Sequence, residues 1–153
     1  MKVLIGTDGS EAAITAARDG LAVLVGPDAI VLVTAITTPD VASAGLDSGF
    51  AGGLATPEEI DAGWVSVQRE AEDILEVTAA TLPTGVPVER RVEVGDAGPL
   101  LCRLAAELDI DVIIVGSRGR GAIRRALLGS VSSHVANHAP CVVTIVPVTA
   151  GER

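Results

Sequence analysis

A stretch rich in glycine, serine and arginine follows an apolar, β-branched run, residues 112–115, that reads as a buried strand. Glycines stand at positions 116, 119 and 121, and Gly129-Ser130 opens a predicted helix. Glycine lets the backbone approach a ligand, and the unpaired N–H groups of a helix start point towards an anion. Serines in the first turn of that helix add hydroxyl donors. Strand, glycine-rich turn and helix together predict a phosphate-binding site.

The charge distribution supports an anionic ligand. The chain carries a net charge of −9, yet four of its 11 basic residues fall within this loop, namely Arg118, Arg120, Arg124 and Arg125. A basic island on an acidic protein is better explained by an anion than by solubility, although a solvated arginine-rich loop is the alternative. We expect Arg118 and Arg120 to offset phosphate charge.

The glycine spacing differs from that of two common nucleotide-binding loops. The P-loop signature Gly-x4-Gly-Lys-Ser/Thr is absent, and the loop contains no lysine. A dinucleotide-binding fingerprint starting at Gly119 fails because Arg124 stands where its third glycine belongs. What remains is Gly116-x2-Gly119, nine further residues, and then Gly129-Ser130.

This spacing resembles the ATP-binding signature of the universal stress protein family, Gly-x2-Gly-x9-Gly-Ser/Thr. The flanking segments 112–119 and 127–132 are also similar to that family, and the resemblance extends from residue 2 to residue 148. It implies that the phosphates of ATP are held by a set of loop and helix residues. These are Gly116, Gly119, Gly129 and Ser130, with the Val131 N–H and the Ser132 hydroxyl as additional donors.

Asp8 is a further candidate because it follows the first predicted strand, Val3–Ile5, where open α/β sheets place ligand groups. A carboxylate there can bind a ribose hydroxyl or a metal ion carried by phosphates, whereas the alternative is that Asp8 caps the following turn or helix. Thr7-Asp8 resembles the Thr-Asp pair that lines the nucleotide site in ATP-binding members of the family. The resemblance thus implies that Asp8 lies beside the ribose or a phosphate-bound Mg²⁺.

The second predicted strand, Ile30–Ile36, supplies the expected contact with the base. In the family, the last residues of this strand contact adenine through their backbone, and Ala35 falls at that position. Relatives often have a histidine followed by valine where this chain has Thr34-Ala35. A backbone contact tolerates that departure.

The elements that position these residues alternate along the chain. Apolar patterns predict five strands, at 3–5, 30–36, 86–94, 111–115 and 141–148, separated by four helices. This alternation predicts a doubly wound, five-stranded parallel α/β sheet with helices on both faces. The resemblance supplies the strand order 3-2-1-4-5 of the adenine-nucleotide α-hydrolase-like fold. In that order Asp8 and Gly116 meet at the crevice where the strand order reverses.

We expect one domain, residues 1–148, followed by a tail at 149–153. The glycine-rich segment 39–55 is predicted to be a loop, either a flap over the nucleotide or a disordered insertion. Aromatic residues are almost absent, and the net charge is negative, so we expect no nucleic-acid binding. No apolar run approaches the roughly 20 residues that span a bilayer, so we expect a soluble, cytoplasmic protein without a membrane partner.

The prediction is an ATP-binding universal stress protein, a regulatory nucleotide-binding module with Mg²⁺ on the phosphates. The resemblance also implies a homodimer that pairs through the C-terminal strand, Cys141–Val148. No residue that positions water for hydrolysis can be identified unless Asp8 does so, which leaves the catalytic residues unknown. The open alternatives are a slow ATPase or nucleotidyl-transfer enzyme, a sensor of AMP or a cyclic adenine nucleotide, and an interaction protein that has lost nucleotide binding.

Overall fold

Five strands and four helices alternate along the part of the chain that the computed structural model describes, residues 1–37, 56–119 and 128–147. In chain order they are β1 Lys2–Gly6, α1 Glu11–Ala22, β2 Ala29–Ile36, α2 Pro57–Ala79, β3 Val88–Val94, α3 Ala97–Glu107, β4 Val112–Gly116, α4 Ser130–His138 and β5 Val142–Val146. The predicted loop 39–55, the tail 149–153, Arg120, Arg124, Arg125 and Val148 lie outside the described residues.

The strands form one parallel sheet in the order β3-β2-β1-β4-β5. This confirms both the predicted fold class and the predicted order. Strand β1 pairs with β2 on one side and with β4 on the other, so the order reverses between β1 and β4. Doubly wound sheets open a crevice at such a reversal, outside the carboxyl ends of the strands.

The core is aliphatic and lies on both faces of the sheet. Alternate residues of a strand point to opposite faces, so Leu4 joins one buried cluster while Val3 and Ile5 join the other. The first cluster includes residues of α3 and α4, such as Leu104 and Val135, and the second includes residues of α1 and α2. Helices therefore cover both faces, as the prediction required.

The boundaries of α2 and β3 have local causes. Helix α2 ends at Ala79. The chain then tightens into i→i+3 bonds, in which Thr81 N–H donates to Thr78 and Leu82 N–H to Ala79. Strand β3 begins at Val88, two residues later than predicted, because Pro87 has no N–H for the ladder.

Helix α2 is longer than the sheet it covers. Its last two turns pack on the sheet through buried Ala71, Leu75 and Thr78. The described side chains of residues 57–70 are exposed or half-buried. The amino-terminal half of α2 therefore makes little contact with the core, and its carboxyl-terminal half fixes its position.

Helix α1 approaches the sheet closely through Gly20. A Cβ at this position would lie 2.5 Å from Cγ2 of the buried Ile114 and 3.2 Å from Cγ2 of the half-buried Val146, both on strands of the sheet. By contrast, a Cβ at Gly63 in α2 meets nothing within 4 Å. The two helical glycines have opposite structural roles, since only Gly20 gains from having no side chain.

We predict that Gly20→Ala lowers the free energy of unfolding by about 1–3 kcal/mol, because the added methyl overpacks the α1–sheet interface. Gly63→Ala is the matched control and should raise it by about 0.5–1 kcal/mol, because alanine is the better helix former at an open site. Urea denaturation of both variants measures the difference. Equal effects of the two substitutions would contradict this account of the packing.

Candidate functional site

A cavity of about 330 Å³ opens at the reversal point of the sheet, a volume within the range of small-molecule sites. All ten residues that the sequence analysis assigned to the site line it. They are Thr7, Asp8, Ala35, Gly116, Arg118, Gly119, Gly129, Ser130, Val131 and Ser132. The structure therefore brings together residues that lie at the ends of three strands and at the start of α4.

The backbone of Ser117 closes the base of the glycine-rich loop. Its N–H donates to the carbonyl of Val146 at 2.8 Å, and its carbonyl accepts from the N–H of Gly129 at 2.7 Å. The Ser132 hydroxyl also donates towards the Ser117 carbonyl, at 3.1 Å, and towards the Gly129 carbonyl at the same distance. These contacts fix the start of α4 against the ends of β4 and β5.

The role of Ser132 is thereby defined by its contacts. Its side chain is 1% exposed, and its hydroxyl proton is directed to the two carbonyls at the base of the loop. The Ser132 hydroxyl therefore stabilises the loop. Of the groups of Ser132, only the backbone N–H is available at the open end of α4.

The amino terminus of α4 faces the cavity without a side-chain cap. The N-cap residue is Gly129, which has no side chain to offer, and the first intrahelical bond runs from Ser133 N–H to the Gly129 carbonyl. The N–H groups of Ser130, Val131 and Ser132 precede that bond and have no carbonyl partner within the helix. They form a ready-made anion site, strengthened by the positive end of the helix dipole.

Close approach explains the glycine at position 119. A Cβ there would lie 2.7 Å from Asp8 Oδ2, so a side chain would push against the carboxylate. At Gly116 a Cβ would lie 3.2 Å from the carbonyl oxygen of Arg118, which is also tight. The loop therefore passes directly over the end of β1, and Asp8 lies against it.

Asp8 caps the start of the α1 region, one of the two roles considered from the sequence, and it also lines the cavity. Its Oδ1 accepts from the N–H of Ser10 at 3.0 Å and from the hydroxyl of Ser10 at 2.6 Å. Ser10 is the N-cap of α1, since its Oγ accepts from the N–H of Ala13 at 3.2 Å. One carboxylate oxygen thus organises the start of α1, while the other faces Gly119 in the cavity.

The Thr7 side chain contacts Thr78 of α2, a residue that was not predicted to belong to the site. Its N–H donates to the Val33 carbonyl at 2.9 Å, and its Oγ1 accepts from the N–H of Gly9 at 3.2 Å. The same Oγ1 lies 3.2 Å from the Oγ1 of Thr78 on α2. The sequence did contain a signal for this contact, because Thr78 is a polar residue on the otherwise apolar face of α2.

Apolar side chains also line the cavity. They are Val33, Val115, Ala97, Leu100 and Leu101, and the last three belong to α3. This wall was not predicted from the sequence, although α3 directly follows the carboxyl end of β3. A flat apolar ligand group, such as a heterocyclic base, suits these walls.

The backbone of Ala35 offers a polar edge beside the apolar walls. The carbonyl of Val33 accepts from Thr7, so Val33 directs its backbone groups towards β1. Alternate residues of a parallel strand direct their N–H and C=O to the same side. Ala35 therefore directs its own pair towards β1 as well, but beyond Gly6, where the paired register of the two strands ends.

Arg118 lines the cavity with a half-buried side chain. Its Nε is buried and has no hydrogen-bond partner among the described residues. Buried N–H groups in proteins are nearly always paired. An anionic ligand oxygen is the kind of partner that a guanidinium at this position would take.

Other chemically capable residues lie outside the cavity lining. Burial raises the pKa of the Cys102 and Cys141 thiols, which keeps both protonated near neutral pH.

The rings of His134 and His138 stack with centroids 4.3 Å apart, and His138 Nδ1 donates to the His134 carbonyl at 2.9 Å. Among the described residues, no three His, Cys, Asp or Glu side chains are grouped to hold a metal ion. No helix of this described part could cross a membrane.

Comparison with known proteins gives a consistent family. The model of the universal stress protein family matches residues 1–147. A universal stress protein of Synechocystis is 34% identical over 85 residues, which cover 55% of this chain and 79% of that relative. Another Synechocystis member is 36% identical over 80 residues, 52% of each chain.

Solved structures resemble the chain over almost its whole length. The protein MJ0577 superposes with a TM-score of 0.73 at 23% identity and covers 98% of this chain and 97% of its own. A universal stress protein in complex with cAMP gives 0.64 at 24% identity, with 97% and 98% covered. An Arabidopsis thaliana member with AMP bound gives 0.59 at 18% identity, with 98% and 93% covered. At these identities the likeness shows the fold.

Proposed function

The chain belongs to the universal stress protein family, and we propose that it binds ATP in the cavity at the reversal point of the sheet, as a regulatory module. The observation that carries the proposal is the uncapped amino terminus of α4, which opens into a cavity that apolar side chains also line. A phosphate site and a base site in one cavity would match the two halves of a nucleotide.

Phosphate binding is supported by two kinds of donor and by two close approaches of the backbone. The N–H groups of Ser130 and Val131 stand at the start of α4, and the Arg118 guanidinium has a buried N–H with no partner among the described residues. Gly116 and Gly119 keep the backbone close. The N–H of Gly129 is already donated to Ser117. Gly129 therefore contributes by leaving the helix end open, whereas its neighbours supply the hydrogen bonds.

The base and ribose are assigned to the apolar wall and to the ends of β1 and β2. Adenine would lie against Ala97, Leu100 and Leu101 and take its polar contact from the backbone of Ala35. Asp8 would face the ribose or a Mg²⁺ ion carried by the phosphates. A single carboxylate acting together with ligand phosphates is a usual way for proteins to bind Mg²⁺.

A binding module fits these contacts better than a hydrolase. An ATPase needs a group that orients the attacking water. Asp8 is the candidate for that role from the sequence, but its Oδ1 already accepts two hydrogen bonds from Ser10. We infer that bound ATP is retained and that turnover, if measured, is slow. Because ATP is an intracellular metabolite, the proposal implies a cytoplasmic protein.

A sensor of AMP or a cyclic adenine nucleotide is the second candidate. Structural neighbours with AMP and with cAMP bound carry this possibility. These nucleotides would share the base end of the cavity with ATP and would use fewer donors at α4. Direct titration therefore separates the two candidates.

We further propose that the chain forms a homodimer through β5. The two edges of the sheet differ, since β3 carries Glu89, Arg90, Arg91 and Glu93 whereas β5 reads Val-Val-Thr-Ile-Val. Charged edge strands resist pairing, and apolar ones favour it. Val142 on β5 is 64% exposed, and its burial in a dimer would remove an apolar patch from water.

We predict that ATP co-purifies with the protein and that it binds at least about tenfold more tightly than AMP, since extra phosphates reach the α4 donors. Mass spectrometry of the denatured, freshly purified protein detects retained nucleotide. Calorimetric titration with ATP, ADP, AMP and cAMP, with and without Mg²⁺, ranks the ligands. Preference for AMP or cAMP would favour the sensor, and no binding would refute the nucleotide site.

We predict that Gly129→Asp lowers ATP affinity by about 100-fold or more. An aspartate at an N-cap accepts from the N–H groups of the second and third helical residues, here Val131 and Ser132, and adds a charge where phosphate belongs. The fold should persist, because Asp and Gly differ by only about 0.5 kcal/mol as caps.

The matched control is Gly129→Ala. Its Cβ would meet Ser117 O at 3.5 Å, an ordinary contact, and it adds neither a charge nor an acceptor. Calorimetry should find its ATP affinity within about threefold of the unmodified protein, and light scattering should find both variants dimeric. Normal ATP binding by Gly129→Asp would show that the phosphates lie elsewhere.

We predict that Val143→Pro converts the dimer to a monomer. Val142 N–H donates to the Asp111 carbonyl and Ser117 N–H to Val146, so even-numbered residues of β5 face β4. Val143 therefore directs its N–H to the open edge, where proline removes a donor that a paired strand would use.

Arg90→Pro is the matched control on the opposite edge. Pro87 accepts from Ile30, and Gly95 donates to Ile36, so odd-numbered residues of this region face β2 and Arg90 faces outwards. Size-exclusion chromatography with light scattering should show a dimer for this variant. A dimeric Val143→Pro, or a monomeric unmodified protein, would rule out the β5 interface.

A further inference from the structure

We propose that Thr78 is a positioning residue for the nucleotide site, acting from α2 through the hydroxyl of Thr7. The inference rests on the proposed nucleotide binding and adds a residue that lies outside the cavity lining. Thr78 is fully buried and is the point at which α2 meets the turn after β1.

The directions of the hydrogen bonds follow from the available protons. Thr78 Oγ1 donates to the Ile74 carbonyl at 2.8 Å, which uses its one proton. The 3.2 Å contact between Thr78 and Thr7 must then be donated by Thr7. Thr7 Oγ1 in turn accepts from the N–H of Gly9 at 3.2 Å. The result is a one-way chain from Gly9 through both hydroxyls to the backbone of α2.

This chain fixes the turn that presents Asp8. Gly9 has a φ of 72°, in the left-handed region, and its N–H is held by Thr7. Asp8 lies between these two residues, with Oδ1 on Ser10 and Oδ2 facing Gly119. If Thr7 loses its acceptor, its buried hydroxyl proton is left without a partner, which favours a rotation of the Thr7 side chain that would also break the bond from Gly9. The Asp8 carboxylate then loses its fixed place in the cavity.

The carboxyl-terminal half of α2 provides a rigid anchor for this chain. Ala71 and Leu75 are 2% and 3% exposed, and they place Thr78 one turn further along the same buried face. Hydrogen bonds that run in one direction strengthen one another in a buried setting. Thr78 thus transmits the position of α2 to the ligand side of the sheet.

The test is ATP affinity in Thr78→Val, which keeps the shape of the side chain and removes the hydroxyl. We expect calorimetry to show affinity reduced by about tenfold or more. Thr78→Ser keeps the hydroxyl and should bind within about threefold of the unmodified protein. The matched control is Thr81→Val, because the Thr81 hydroxyl donates to the Thr78 carbonyl at 2.7 Å and lies outside the Thr7 chain. Its affinity should be unchanged.

A second route keeps the inference testable if Thr78→Val folds poorly. Thr7→Val removes the same link from the cavity side and leaves the packing of α2 intact. Because Thr7 also lines the cavity and accepts from Gly9, Thr7→Val should weaken ATP binding at least as much as Thr78→Val. Where the double variant folds, it should bind no more weakly than Thr7→Val alone, because both substitutions break one chain.

The outcomes separate this inference from the proposed function. If the unmodified protein binds no adenine nucleotide, the proposed function and the role of Thr78 are both refuted. If it binds ATP but Thr78→Val binds equally well, or Thr78→Ser fails to restore affinity, or Thr81→Val loses as much, only the role of Thr78 is refuted. Urea denaturation of each variant shows whether the binding measurement was made on folded protein.

Discussion

The backbone of Ser117 is the constraint on which the cavity depends. Its N–H and carbonyl join the ends of β4 and β5 to the start of α4, and the buried Ser132 hydroxyl reinforces the same carbonyl. Because β4, β5 and α4 are all joined through Ser117, the start of α4 has a fixed position against the sheet. The contact between Gly119 and Asp8 then relates that helix end to β1. One connected set of contacts consequently positions both the open end of α4 and the Asp8 carboxylate.

The groups that build the site are largely separate from those that could bind. The N–H of Gly129, the Ser132 hydroxyl and Asp8 Oδ1 are used in internal hydrogen bonds. The first N–H groups of α4 and the backbone edge of Ala35 remain directed at the cavity. Internal hydrogen bonds of this kind preorganise a site, and preorganisation reduces the ordering cost of binding.

Much of this arrangement could be predicted from the sequence. The glycine spacing indicated the loop, the apolar runs predicted the alternating strands and helices, and the family resemblance supplied the strand order. All ten predicted residues line one cavity. The wall from α3 and the support from Thr78 were not predicted. Both depend on which side chains tertiary packing brings together, and an apolar helix face or a buried threonine has no distinctive spacing. The direction of the Ser132 hydroxyl likewise follows from two carbonyls that are close only in the folded chain.

A site made mostly of backbone explains why glycines dominate its pattern. Where N–H groups and carbonyls do the binding, the side chains matter mainly for what they leave open, as at Gly119 against Asp8 and at the uncapped Gly129. Such a site can keep its geometry while most other side chains change, since the backbone path depends on the sheet and on a few close contacts. The residues most sensitive to substitution should therefore be those that set the path, including Thr78, rather than the apolar residues that line the cavity.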